Sequence, residues 1–208
     1  MPKNRLEAFS DGVIAIVITL LVLEIHVPAN PLVTNQEMLN AILKLAPHLL
    51  AYVISFLVCA VWWVAHHALI HDLRQVDTAL LWINNLFLLG LAFLPFPTAL
   101  LGQHPAQPIA TAFYGVVGAF TGLCFGFMRW YATVPGGLMN PELDILQLKR
   151  RIRISAVSPF LYLAGAAAGL VAPAVALLIY AAIPCYFASL NLRQSAVVSK
   201  RQTSGPNA

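Results

Sequence analysis

The chain has 208 residues, of which 60% are hydrophobic and only 10% charged, with a mean hydropathy of +0.78. A soluble domain carries about 25% charged residues, so this one lacks the polar side chains to cover a water-facing surface. Three cysteines make no disulfide framework, the apolar share excludes disorder, and 12 Lys and Arg are too few for a continuous basic face on nucleic acid.

What remains is an all-α integral membrane protein, read as one membrane domain over residues 1–192 and a tail over 193–208. A spanning helix needs about 20 apolar residues, and the apolar runs are bounded by charge, proline or polar clusters. The first covers about 8–27 and stops at Pro28-Ala29-Asn30-Pro31, where prolines remove backbone donors. The second covers 46–68, the third 78–101 and the fourth 109–131. Between Arg153 and Arg193 no residue carries a formal charge. As one helix that stretch would be about 58 Å long, against a hydrocarbon core of about 30 Å. It must turn once, around Gly169 to Pro173, giving spans at 154–171 and 174–192.

Charge placement supports six. With that count Lys3, Arg5, Arg74, Arg129, Lys149, Arg150, Arg151, Arg153, Arg193, Lys200 and Arg201 share one side, and Lys44 stands alone on the other. The positive-inside rule then puts both termini in the cytoplasm, and the chain in the cell membrane. Lys3 and Arg5 ahead of an apolar run also fit a signal peptide. Glu7 and Asp11 continue the charged arm, however, and no small-x-small site closes the run, so the segment reads as retained. Gln194 to Ala208, rich in Ser and small residues, reads as a disordered cytosolic end. Cys59, Cys124 and Cys185 each fall inside a span and read as small helix- or lipid-facing residues.

Polar side chains inside a bilayer are costly and face protein or water, which makes the first span the informative one. It opens Arg5-Leu6-Glu7-Ala8-Phe9-Ser10-Asp11-Gly12. Arg5, Phe9 and Gly12 recur at i, i+4, i+7, with Ser10 and Asp11 on neighbouring faces. One acid near a helix start is ordinary dipole chemistry. Arg, Phe, Ser and Asp together, beside a glycine that permits close approach, read as a network with other helices. Further along, Ile16, Leu20 and Leu23 lie within about 60° of arc, bordered by Thr19. Spacing alone does not separate a pore-lining stripe from a lipid-facing one. Glu24 reads as a solvated interfacial residue.

The pattern Arg5-x-x-x-Phe9-Ser10-Asp11, followed by Gly12 to Ile16 and Thr19 to Glu24, resembles the first helix of the transmembrane protein 175 family of potassium channels, whose bacterial members have six spans. Trp62-Trp63, His66-His67, Trp82-Ile83-Asn84-Asn85 and Leu94-Pro95-Phe96 are similar as well. The resemblance rests mainly on roughly the first hundred residues, and on the number and length of spans thereafter.

It implies a homotetrameric cation channel in the lipid bilayer that lacks a re-entrant Thr-Val-Gly-Tyr-Gly filter, a sequence absent here. By the same resemblance Ile16, Leu20 and Leu23 form a hydrophobic constriction and Thr19 favours potassium. Arg5, Phe9, Ser10 and Asp11 tie helices together behind the pore, with Trp63, His67 and Asn85 as candidate partners. Monovalent cations are the permeant species, no cofactor beyond potassium itself is implied, and no enzymatic activity. A ring of branched aliphatics offers no oxygen to replace a hydration shell, so a narrow ring gates by dewetting. A slightly wider one passes a partly hydrated ion and moderately favours potassium over sodium.

Three other readings compete. His66-His67-x-x-x-His71-Asp72 has helical metal-ligand spacing, but His26, His48 and His104 belong to the opposite side and cannot complete such a site. A small secondary transporter needs a broken helix with polar ligands near midplane. Pro95 and Pro97 supply a break, while Asn84 and Asn85 lie near the cytoplasmic end. A non-transporting membrane scaffold is the third.

Overall fold

A computed structural model describes residues 2–26 and 34–203, without the side chains of 191–203. The elements are α1 (Lys3–Leu20), prolonged by a 3-10 turn Leu21–Glu24, then α2 (Asn35–Lys44), α3 (Ala46–Asp72) and α4 (Thr78–Phe93). They continue with α5 (Pro95–Gln103), α6 (Pro108–Thr133), α7 (Ile145–Val171) and α8 (Pro173–Thr203). With α4 and α5 taken as one bent span, six helices among the described residues are long and apolar enough to cross a membrane, as the apolar runs lead one to expect.

Several boundaries differ from the sequence reading, each for a local reason. The first span begins at Lys3, so the charged motif is helical, because nothing between Lys3 and Leu20 breaks the ladder. The fifth begins at Ile145 rather than 154: Asp144 caps it by accepting from the Leu146 N–H at 2.9 Å, and the basic run that follows is made of good helix formers. Arg129, near the basic end of the fourth span, is buried within α6. The α8 backbone stays helical to Thr203, so Gln194 onward is not irregular that far; Gly205-Pro206 is the first breaker pair. The Pro28-Ala29-Asn30-Pro31 break lies outside the described residues. The fifth turn falls at Ala172, just before Pro173 opens α8.

The third span bends at Leu94 because Pro95 and Pro97 cannot donate to the helix. The Leu94 N–H turns instead to the Leu91 carbonyl at 3.0 Å. Behind the bend Thr98 bonds the Leu94 carbonyl at 2.8 Å, and its hydroxyl meets Ser55 Oγ at 2.7 Å. Ser55 also meets Tyr114 Oη at 3.0 Å, so the hydroxyls behind the bend are engaged within the protein. Short α2, capped reciprocally by Thr34 and Glu37, lies between the first two spans.

Helix α6 is the axis of the bundle: it packs on α4 and most extensively on α7. Gly118, Gly122 and Gly126 recur every four residues on one face of it, the small-residue stripe that lets membrane helices approach closely. A Cβ on Gly118 would enter the Tyr162 ring of α7, and one on Gly122 would stand 2.9 Å from Ser158 Oγ. Gly118→Val is therefore expected to force α7 outward at a cost of about 1–3 kcal/mol. Thermal unfolding in detergent checks this, and an unchanged midpoint would contradict the close approach.

One end of the bundle gathers the basic residues and is cross-tied. Lys3 Nζ donates to the carbonyls of His71 and Leu73 at 3.1 and 3.2 Å. Arg151 pairs with Asp72, Tyr131 donates to Asp77 at 2.7 Å, and Leu73 pairs with Met139 in an isolated β-bridge. These contacts fix the start of α1 against the α3–α4 and α6–α7 connections.

Candidate functional site: the first helix and its anchor

Helix α1 is peripheral. Of its most apolar window 28% is buried, against 61% for α6. Leu6, Ser10, Ile14 and Val17 form its buried face, seated on α3 and α4. On the opposite side Arg5, Phe9, Gly12, Ile16, Thr19 and Leu20 are all exposed, within about 100° of arc. The exposed fractions of Phe9, Ile16, Leu20 and Leu23 are 54, 59, 42 and 63%. The 3-10 turn carries Leu23 at the far end of the same open strip. Thr19 donates its hydroxyl proton to the Ile16 carbonyl at 2.8 Å, which leaves its oxygen as an acceptor on that strip.

The buried side is bolted by polar atoms. His66 of α3 donates from Nε2 to Asn84 Oδ1 of α4 at 2.8 Å, and Asn84 Nδ2 donates to Ser10 Oγ at 3.1 Å. All three residues are fully buried. The His66 ring stacks on Phe87, with centroids 5.6 Å apart. Next to Ser10 on α1, Asp11 accepts from Trp63 Nε1 at 2.9 Å, and Glu7, about one turn earlier, pairs with His67 Nδ1 at 3.3 Å. Glu7, Asp11 and His67 thus converge, with one ligand atom of each within 4.8 Å of the others. Because His66 points into the Asn84 network and His67 to Glu7, the paired histidines do not act as one metal box.

The motif residues therefore divide. Ser10 and Asp11 reach neighbouring helices, and Trp63 and His67 are among the side chains that meet α1. Asn85 is not: it is exposed, and the partner is Asn84, one residue and 100° away on α4. Among the described residues, Arg5 and Phe9 tie no other helix of the protomer. Both lie on the open strip, and among the described residues no hydrogen bond or ion pair engages the Arg5 side chain. Sequence reasoning also missed Lys3 and His66 as anchors. Only the convergence of α1, α3 and α4 shows that these two positions meet their partners.

A profile described as "Endosomal/lysosomal potassium channel TMEM175" matches residues 5–95, the stretch that contains the strip and its anchor. A potassium channel of Streptomyces collinus is 39% identical over 146 residues, covering 68% of this chain and 70% of that one. The chain belongs to the TMEM175 family. A second relative, a potassium channel of Chamaesiphon minutus, is 36% identical over 163 residues, covering 77% of this chain and 80% of the relative. The crystal structure of a lysosomal potassium-selective TMEM175 homologue from Chamaesiphon minutus superposes with a TM-score of 0.79 at 32% identity, covering 89% of this chain and 96% of that one. The TMEM175 fold accounts for the six apolar helices, and the chain is a multi-pass membrane protein of a channel family, not an enzyme.

Proposed function

We propose that this protein is a potassium-selective channel of the cell membrane, a homotetramer in which four copies of α1 surround an axial pore. The observation that carries the reading is the two-sidedness of α1. Its buried face is locked by Ser10, Asn84 and His66, while an aliphatic strip with one hydroxyl stays open. One such strip cannot enclose a symmetric pore, and closed rotational symmetry is the usual solution. Four strips would set rings of Ile16, Leu20 and Leu23 around the axis. Such rings bar a fully hydrated ion by dewetting and pass most readily the cation that sheds water most easily. The Thr19 oxygen adds an acceptor ring that favours potassium. Arg5 and Phe9, exposed on the same open side, would meet neighbouring copies. The side on which Lys and Arg gather is taken as cytoplasmic, with both termini there.

Purified protein in liposomes, under a potassium gradient with a flux dye, tests the reading. Potassium flux well above empty liposomes, exceeding sodium flux, is expected from an oligomer that native mass spectrometry weighs as four copies. No flux from an intact oligomer would defeat it, and uphill solute uptake would replace it with a transporter.

A further inference from the structure

Between α3, α6, α7 and α8, at the basic end, lies a cavity of about 90 Å³, several times the space one water needs. Two arginines line it, Arg129 of α6 and Arg151 of α7, with Ser155 and Ser158 beside them. Arg151 is neutralised by Asp72. Arg129 makes no ion pair among the described residues, the nearby Asp72 being engaged by Arg151. Only 6% exposed, it gives one N–H to the Ala65 carbonyl at 3.2 Å and lies over the Phe125 ring at 5.1 Å. Its buried Nε–H has no acceptor. A buried cation with a spare donor is costly unless an anion completes it.

The shape of the lining adds to the charge. On α3 it runs from Ala68 through Ala65 and Trp62 to Val58, about 15 Å of helix, apolar throughout and leading away from the arginine level. Ile183 and Phe187 of α8 add further apolar lining. A cationic end joined to an apolar wall matches an amphiphile with an anionic head. Guanidinium forks match phosphate oxygens in geometry, and basic pockets between membrane helices on the cytoplasmic side suit anionic headgroups.

We propose that this cavity binds a phosphate-bearing anion, with Arg129 as its principal donor, and that the apolar wall makes a phospholipid head the favoured source over free phosphate. The site is separate from the α1 strip and does not depend on the channel reading. Full-length protein in mild detergent would be titrated with phosphatidylglycerol, phosphatidylcholine and millimolar inorganic phosphate, and followed by native mass spectrometry and thermal unfolding. Phosphatidylglycerol is expected to be retained and to stabilise, phosphatidylcholine not, and Arg129→Gln to weaken retention about tenfold or more. Ala68→Leu, which fills the cavity and leaves Arg129 in place, covers the case in which Arg129→Gln misfolds; it is expected to weaken retention likewise, while Arg153→Gln keeps it. Stabilisation by inorganic phosphate alone, lost in the same variants, would keep the site and make free phosphate its source. Phosphatidylglycerol retention unchanged by Ala68→Leu, or no preference for it over phosphatidylcholine together with no phosphate effect, would overturn the proposal.

Discussion

Ile16→Ala is expected to raise potassium conductance several-fold and to lower potassium-over-sodium selectivity. On the proposed arrangement the substitution removes three carbons from every copy at the constriction, which lowers the dewetting barrier. A fall of only about 1.4 kcal/mol in that barrier multiplies flux about tenfold. Because Ile16 is 59% exposed in the protomer, its truncation leaves α1 seated and the oligomer intact. Ile14→Ala makes the opposite case. Ile14 is 1% exposed, so its truncation opens a cavity costing about 2–5 kcal/mol without touching the strip. Reversal potentials and thermal midpoints measured on both variants separate the two roles. Unaltered conductance and selectivity in a well-assembled Ile16→Ala oligomer would remove Ile16, and the whole strip, from the pore.

The second large effect is expected at Asn84. Asn84→Leu strips the His66 Nε2–H and the Ser10 hydroxyl of their shared partner in a fully buried site. The His66 Nδ1 already lacks a partner, so the ring would be left with none. Interhelical hydrogen bonds in membranes contribute modestly each, but stranding two groups at once costs about 1–3 kcal/mol and loosens α1 from α3 and α4. The expected readout is a lower thermal midpoint and a smaller oligomer peak in size exclusion. Asn85→Leu, exposed one residue on, is expected to change neither. Equal midpoints for the two leucine variants would dismiss the anchor. Asp11→Asn should be mild by the same geometry, because an amide oxygen still accepts from Trp63 Nε1; Asp11→Leu would lose the bond.

Asn84 and Asn85 illustrate why the anchor was only partly legible. Adjacent asparagines on a helix point 100° apart, and the sequence does not say which of the two faces α1. The same holds for His66 and His67: one ring is buried against Asn84 and the other meets Glu7 at the surface. Trp63 was named as a candidate only through the resemblance; the structure supplies the reason, since an indole N–H within a span needs an acceptor and Asp11 provides it. Arg129 falls within the fourth span of the sequence reading, on the basic side, but its burial becomes visible only once α3 and α7 pack around it.

What the sequence determined by itself is set by quantities that add along the chain. Hydropathy summed over about 20 residues defines a span, and six such sums, with Lys and Arg on one side, define a membrane bundle. The first-helix motif, a local pattern, carried the family. Tertiary structure alone decided which face of each helix meets which neighbour. In a bilayer apolar faces are equally at home against lipid and against protein, so hydrophobicity does not choose between them. That choice rests on small residues such as Gly118 and on partnered polar groups such as Ser10 and Asn84. By seating Leu6, Ile14 and Val17 inward, the fold leaves Ile16, Thr19 and Leu20 open.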